Sequence, residues 1–405
     1  MSKLAAYKLM HKNIDVALIT LDEELSESKP MGVRRNPAAL EHFPIGGQMN
    51  EMKFIDWWRD RAIPKTRQGA KSALEALGYS STINAMISNL ALSLTDCYWI
   101  KPRYSDLRWE DVNLFENDFT DSFGEYTFTQ NSGDIRKETR FNCAATQGEV
   151  QKKWVIDRDG SRCLIKGNYG DSFQQSINEV FACDLMEQAG FHNYTEYKLT
   201  PIALTDDRVG IGCVSKNFCS TTVECISAWE MLQTVKTKRN ESLFYPFRQV
   251  CNTVGISDEV FSSFLDVEIM IDFLMSNTDR HMNNISLLRN PDTLEFIGFA
   301  PVYDSGNSMF FRESLGDLRK PMGTIKTHSF VEKEKDLLKY VSNRNAINLD
   351  KIKPNFDIYY QYNEERHSRI PLLKERFEKK MDILRQFQKG KDVWKDRHKG
   401  CDMSR

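Results

Sequence analysis

What this 405-residue chain lacks narrows its class before any motif is read. Its nine cysteines stand singly. Cys213, Cys219 and Cys225 are six apart and no C-x-x-C pair occurs, so neither a zinc site nor a disulfide framework is indicated. A reducing cytoplasm is therefore the expected compartment. The N-terminus, Met1-Ser2-Lys3-Leu4-Ala5-Ala6-Tyr7-Lys8, has no apolar signal-peptide core. The most apolar stretch, 260–275, is interrupted by Asp266, Glu268 and Asp272, so it is not a bilayer span. A formal net charge of −2 does not call for nucleic acid or an anionic membrane as partner. Internal repeats, low-complexity tracts and a G-x-G-x-x-G loop are also missing. With 40% hydrophobic and 28% charged residues, what remains is an ordinary globular chain long enough for two or three domains.

Against that background, residues 276–305 stand out. The apolar run 267–275 enters a polar cluster, Ser276-Asn277-Thr278-Asp279-Arg280-His281-Met282-Asn283-Asn284. A strand-like run 285–288, a turn at Asn290-Pro291-Asp292 and a second apolar run 294–300 then lead to Val302-Tyr303-Asp304. Asn284 lies five positions after Asp279, and Asp304 lies beyond the hairpin. This layout suits phosphoryl transfer. One carboxylate orients the attacking hydroxyl, and a carboxamide and a second carboxylate, brought together by the hairpin, hold Mg²⁺ on nucleotide phosphates. An isolated D-x-x-x-x-N reads more readily as a polar surface turn, so the rest of the chain has to weigh in.

Upstream, residues 145–156 read as a turn feeding a strand, 157–160 as a hairpin turn ending in Asp-Gly, and 162–167 as the returning strand. A helix over 174–189 follows, closed by Gly190. The pattern looks like a kinase small lobe. Gln147 and Gly148 in the turn are candidate phosphate contacts, although a single glycine is a weak cradle. Taken alone, Lys166 is an edge lysine. With Glu179 on the next helix and the three polar residues downstream, it reads as the lysine that reaches the ATP phosphates. Strands over 196–204 and 209–215 come next, and Val214 and Ser215 at their exit are candidate adenine contacts in the connector between lobes. Helices are expected over 228–236, 243–252 and 260–275, and a charged helix with an apolar stripe over 363–389.

Earlier in the chain, 14–22 reads as a strand, and 51–62, 69–77 and 82–94 as helices. Arg59, Arg61, Lys65, Arg67 and Lys71 form a basic stretch that reads as a solvated helix face rather than a nucleic-acid surface. Residues 116–140 read as a linker or mobile loop.

Asp279-Arg280-His281-x-x-Asn284 and Val302-Tyr303-Asp304 together resemble the HipA-like serine/threonine kinases. The likeness covers roughly 140–340 and implies an α+β, bilobal protein-kinase-like fold with a small β-rich lobe and a large helical one. It divides the chain into an N-terminal extension (1–128), small lobe (129–215), large lobe (216–390) and frayed tail (391–405). Trp57-Trp58-x-x-Arg61-Ala62-Ile63-Pro64 and Trp99-Ile100-Lys101-Pro102 make the extension similar to that of Gram-positive members. The resemblance implies ATP and Mg²⁺ as cofactors, Asp279 as catalytic base supported by His281, and Asn284 and Asp304 as metal ligands. It implies that Lys166 lies on the phosphates with Glu179 as its helix partner. It also implies a protein acceptor with Ser or Thr, leaves room for an antitoxin or regulatory partner, and points to neither membrane nor direct nucleic-acid binding. Family members can autophosphorylate a serine in the phosphate loop; here the turn holds Thr146 and no serine, which puts that route in doubt. Two alternatives stay open: a lipid or small-molecule kinase of the same fold, and a non-catalytic nucleotide-binding module.

Overall fold

The computed structural model describes residues 4–22, 30–130, 148–170, 172–205, 208–238, 241–360 and 364–393. Gln147 and Thr146, and the tail beyond 393, lie outside the described residues. The first sheet holds β1 (Leu4–His11), β2 (Ile14–Asp22), β3 (Gly32–Arg35) and β4 (Tyr98–Pro102) in the order β3-β2-β1-β4. Helices α1 (Glu51–Asp60), α2 (Ala70–Leu77) and α3 (Thr82–Ser88) lie between its last two strands in sequence. Asn50 and Ser81 cap α1 and α3 through their side chains. The third helix stops well short of residue 94 because Leu90 and Ala91 take left-handed backbone angles. The linker expected over 116–140 contains α4 (Ser122–Thr129), which packs on α2 and the next strand. Its Gly124 admits that close approach, since a Cβ there would stand 2.6 Å from Lys153 Cβ.

The second sheet is β5 (Lys152–Ile156), β6 (Arg162–Lys166), β7 (Tyr197–Ala203) and β8 (Val209–Lys216) in the order β5-β6-β8-β7, all antiparallel neighbours. Helix α5 (Gln174–Ala189) separates β6 from β7 in sequence and ends at Gly190 in the left-handed region. A small third sheet follows, β9 (Glu224–Ser227), β10 (Ser286–Arg289) and β11 (Phe296–Phe299), with β10 central. The remaining helices are α6 (Ala228–Leu232), α7 (Phe244–Thr253), α8 (Asp258–Met275), α9 (Leu315–Arg319), α10 (Glu334–Leu337) and α11 (Ile370–Gln388). The largest core gathers apolar residues of α5 to α8, the third sheet and α11. Among the described residues no helix is long and apolar enough to cross a membrane.

Helix α8 is buried from Phe264 onward, and each of the three acids in that stretch has a specific neighbour. Asp266 accepts the Ser342 and Asn343 amides at 2.8 and 2.6 Å, Asp272 is held by an arginine described below, and Glu268 lies beside the same arginine. The basic stretch after α1 is only partly a solvated face. Arg61 is buried on Asp96 (2.7 Å) and on the Ala91 and Tyr98 carbonyls, and Arg67 is buried and donates to the Gly148 carbonyl at 3.0 Å.

The first sheet joins the third through a buried polar knot. Glu224 on β9 accepts from Arg289 on β10 (2.7 Å) and contacts His11 Nε2 on β1 (3.1 Å). Arg289 also donates to the Tyr98 hydroxyl at 3.1 Å, and that hydroxyl donates to the His42 carbonyl at 2.9 Å. Burial alone would raise the Glu224 carboxyl, but His11 and then Arg289 carry it down to about 2. Such a pair is costly to break and cheap to replace whole. Arg289→Met, which strands a buried carboxylate, is expected to cost about 3–5 kcal/mol. The double variant Arg289→Met/Glu224→Gln should melt above that single variant in a thermal scan, and the reverse order would remove the ion pair from the joint.

Candidate active site

The site is built from β6, α5 and the two segments that flank the third sheet's hairpin. Lys166, the last residue of β6, is buried and donates Nζ to two carboxylates, Glu179 of α5 and Asp304 Oδ1, the latter at 2.7 Å. Burial opposes the ammonium charge, yet Asp304 and then Glu179 hold Lys166 well above the usual lysine range. The other Glu179 oxygen accepts the Ser305 amide at 2.8 Å, so this one carboxylate fixes both the lysine and the chain just past Asp304. Asp304 takes φ 58°, a left-handed conformation that aspartate tolerates better than most residues. Against the cost of its partial burial, the Lys166 and Lys152 charges keep its carboxyl far below the usual carboxylate range.

Lys152 is one residue that the sequence reading missed. It opens β5 directly opposite Lys166 in the strand register, and its Nζ stands 4.0 Å from Asp304 Oδ2. Burial lowers it to about 8, with the nearby Lys166 charge adding to the effect and Asp304 opposing it. The signal lay in register alone: the hairpin 152–166 pairs two lysines on one side, which no spacing rule on a single strand reveals. Gly148 makes room for this side chain. It has φ +100°, and a Cβ there would stand 2.4 Å from Lys152 Nζ. Gly148 is thus placed beside Lys152.

The second half of the site hangs on Arg280, also absent from the expected set. Its guanidinium is buried and spends all five N–H groups. Nε and one Nη2 proton grip Asp272 of α8 at 2.8 and 3.0 Å, and the other Nη2 proton reaches Ser305 Oγ at 2.9 Å. The Nη1 protons reach the Asn284 carbonyl at 3.2 Å and the Tyr303 carbonyl. One side chain therefore ties the loop 279–284 to the residues on either side of Asp304. Within the loop, Asn284 Nδ2 donates to the Asp279 carbonyl at 2.9 Å, so Oδ1 is the atom that could hold a metal. Asp279 Oδ2 accepts from Asn307 Nδ2 at 2.6 Å, and Asn307 Oδ1 in turn accepts from Gln175 of α5 at 2.8 Å. His281 is half-buried and accepts the Asn283 amide on Nδ1 at 3.2 Å, so it shapes the loop and does not reach Asp279's carboxylate.

Helix α5 grips the rest of the segment after Asp304. Asn178 donates to the Gly306 and Ser308 carbonyls, both at 2.8 Å, and Gln174 to the Met309 carbonyl at 2.9 Å. Gly306 lies so close that a Cβ would meet Gln175 at 3.3 Å.

Val214 and Ser215 require a correction. Both lie inside β8, facing Ile165 and Leu164 of β6 on one side and Lys198 and Tyr197 of β7 on the other. Backbone groups of a strand flanked on both sides are spent on the ladder, so these residues cannot offer them to a ligand. The chain leaves the sheet only after Lys216, and Phe218 there places its ring 5.9 Å from that of Tyr303.

No protein-family model and no curated protein matches the chain. Among solved structures it is similar to HipA of Shewanella oneidensis MR-1, in a toxin–antitoxin complex with HipB and operator DNA. The two are 11% identical, the match covers 95% of this chain and 100% of that one, and the TM-score is 0.50. The chain has a HipA-like kinase fold. Two further similarities, to the Helicobacter pylori proinflammatory kinase CtkA and to hydra Fam20 with sugar, are partial. CtkA is 16% identical over 60% of this chain and 92% of that one (TM-score 0.45), and Fam20 14% over 61% and 84% (TM-score 0.31).

Within this HipA-like fold the support beneath the loop carries a pH signature. Among the described residues neither oxygen of Glu268 accepts a hydrogen bond, and Arg280 Nε stands 3.5 Å away. Burial raises its carboxyl to about 8, with Asp272 adding to the rise and Arg280 opposing it. A raised carboxyl favours the folded state most below the unfolded value of 4.5 and loses that advantage as pH climbs through about 8. Glu268→Gln should therefore melt above the parent chain at pH 8.5, with the gap shrinking toward pH 4.5. A gap independent of pH would show that this carboxyl does not titrate in that range.

Proposed function

We propose that the chain is an ATP- and Mg²⁺-dependent kinase that transfers a phosphoryl group to a serine or threonine hydroxyl of a protein. The observation that carries the reading is Lys166 Nζ shared between Glu179 and Asp304, with the loop 279–284 locked to the same Asp304 segment through Arg280.

The residues present fit the nucleotide and the metal. Asp304 and Asn284 Oδ1 supply one carboxylate and one carboxamide, the sparse oxygen set on which Mg²⁺ is held together with substrate phosphates. Lys166 and Lys152 supply two ammonium groups for the phosphate tail, and Gly148 offers backbone without a side chain beside Lys152. Adenine would pair with the connector beyond Lys216. Bound Mg·ATP would supply the transferable phosphoryl group with its charge partly neutralised.

The chain's own contribution is position and charge. Asp279 orients the acceptor hydroxyl and takes its proton, and Asn307 fixes which carboxylate oxygen remains for that task. Glu179 keeps Lys166 extended toward the phosphates, and Arg280 keeps the metal ligands on one side of the cleft. An antitoxin-type protein partner belongs to the same proposal, supported by the HipB complex of the Shewanella HipA.

Asp279→Asn and Asp304→Asn are each expected to slow phosphate transfer by about 10²-fold or more, a barrier rise of roughly 2.7 kcal/mol. Asparagine tolerates the left-handed backbone at 304, so the second change tests the charge and not the fold. Radiolabelled ATP with protein, lipid and self as acceptors reads the outcome. Asp279→Asn should keep its thermal shift with Mg·ATP. Undiminished transfer by that variant would remove Asp279 from the mechanism, and transfer confined to lipid would replace the protein-kinase reading.

A further inference from the structure

Asp279 is placed by two helices that do separate jobs. Its backbone hangs from α8: the Asp279 amide donates to Asn277 Oδ1 at 3.0 Å, and Asn277 Nδ2 donates to Asp272 Oδ1 at 2.9 Å. Its carboxylate is turned from α5, through Asn307 and Gln175. This second route continues past the helix. Gln175 Oε1 accepts the Tyr169 amide at 2.6 Å, in the loop that leaves β6 three residues after Lys166. Asn168 ties that loop to the same helix, its Oδ1 accepting the Ser176 amide at 2.8 Å, and to β8, its Nδ2 donating to the Ile211 carbonyl at 2.7 Å.

The route has a direction that chemistry fixes at both ends. A side-chain amide presents a donor and an acceptor of nearly equal shape, so Asn and Gln are turned by what they meet. A backbone N–H can only donate, which obliges Gln175 to offer Tyr169 its oxygen. Gln175 Nε2 then faces Asn307 Oδ1 at 2.8 Å, and Asn307 must present Nδ2 to Asp279 Oδ2, at 2.6 Å. An ionised carboxylate can only accept, so the run of donors closes without conflict. The Thr278 amide and hydroxyl hold Asn307 by its backbone carbonyl, at 3.2 and 3.1 Å, which places the residue without choosing its flip.

We propose that Gln175 is a positioning residue for phosphoryl transfer: it sets the flip of Asn307 and thereby aims the Asp279 carboxylate. The inference rests on the kinase reading above and adds to it a link between the lysine's own strand and the base across the site. Glu179 stands one turn further along α5, so a single helix both holds Lys166 and aims Asp279. Position of the base comes from α8 and aim from α5, and the two are separable by mutation.

Gln175→Glu tests this in the full chain, because it keeps the side chain's length and removes its donor. A carboxylate at this position still accepts the Tyr169 amide, and it accepts from Asn307 as well, which turns Asn307 Oδ1 toward Asp279, acceptor against acceptor. Thermal unfolding reads the conflict without any substrate, and Gln175→Glu should lower the Tm by about 2 °C. Asp279→Asn offers the turned Asn307 a donor, so in that background the penalty of Gln175→Glu should vanish. In a chain carrying Asn307→Ala the two changes should act independently, which separates the relay from plain repulsion between two acids. A penalty equal in both backgrounds, or the same coupling persisting in the Asn307→Ala chain, overturns the proposal. Radiolabelled ATP supplies the second arm, with whichever acceptor of protein, lipid and self the parent chain labels. Gln175→Glu should cut kcat by about tenfold or more at an unchanged KM for ATP, and undiminished kcat overturns the positioning role. A parent chain that labels no acceptor while the melting cycle shows the coupling would keep Gln175 as the residue that orients Asp279 and sink the kinase reading alone.

Discussion

The arrangement depends on one buried guanidinium. Arg280 has five donors and the structure gives every one a partner, from α8 beneath the loop to both sides of Asp304. A lysine has no planar fork and could not reach all of these acceptors at once. Because Asp272 holds the guanidinium in two places, the loop and the Asp304 segment are referred to a single rigid helix and not merely to each other. Tertiary hydrogen bonds of this kind let an irregular loop keep a chemically useful shape away from regular secondary structure.

Around that anchor the charges are arranged in opposing pairs. Lys166 and Lys152 face each other across a strand pair, an unfavourable contact for like charges, and Glu179 and Asp304 offset it. On the proposed reading, phosphate oxygens would meet these two ammonium groups at positions the carboxylates already fix. The polar face of α5 serves the same end. Gln174, Gln175, Asn178 and Glu179 all reach the 305–309 segment, so helix and segment move as one unit.

The N-terminal region is joined to the rest by more than a tether. The buried knot of His11, Tyr98, Glu224 and Arg289 spans β1, β4, β9 and β10, and the Cys225 amide donates to the Thr95 carbonyl at 2.8 Å. Trp154 of β5 packs in the same apolar cluster as Trp99 and Trp109. Arg67 holds the Gly148 carbonyl from the same side. A region that contacts the turn at Gly148 and the third sheet is placed to influence both.

The sequence by itself determined the local elements and the residue types of the site. Period-2 runs bounded by Asp-Gly and Asn-Pro turns marked the hairpins, Gly190 marked the end of α5, and Asp279, Asn284 and Asp304 carried their spacing openly, as local backbone preference allows. Only the tertiary structure decided which of those residues meet. Lys152 joined Lys166 through strand register, Asn307 joined Asp279 through a turn after the hairpin, and Val214 and Ser215 were taken out of the connector because β7 and β6 flank them. Strands β3, β4 and β9 escaped the reading because their runs are short or their partners distant in sequence, β1 escaped it although it pairs with the neighbouring β2, and α4 escaped it because its polar surroundings read as loop. The physical reason is common to all of them: register, buried charge pairing and packing are long-range properties, and a linear pattern carries no term for them.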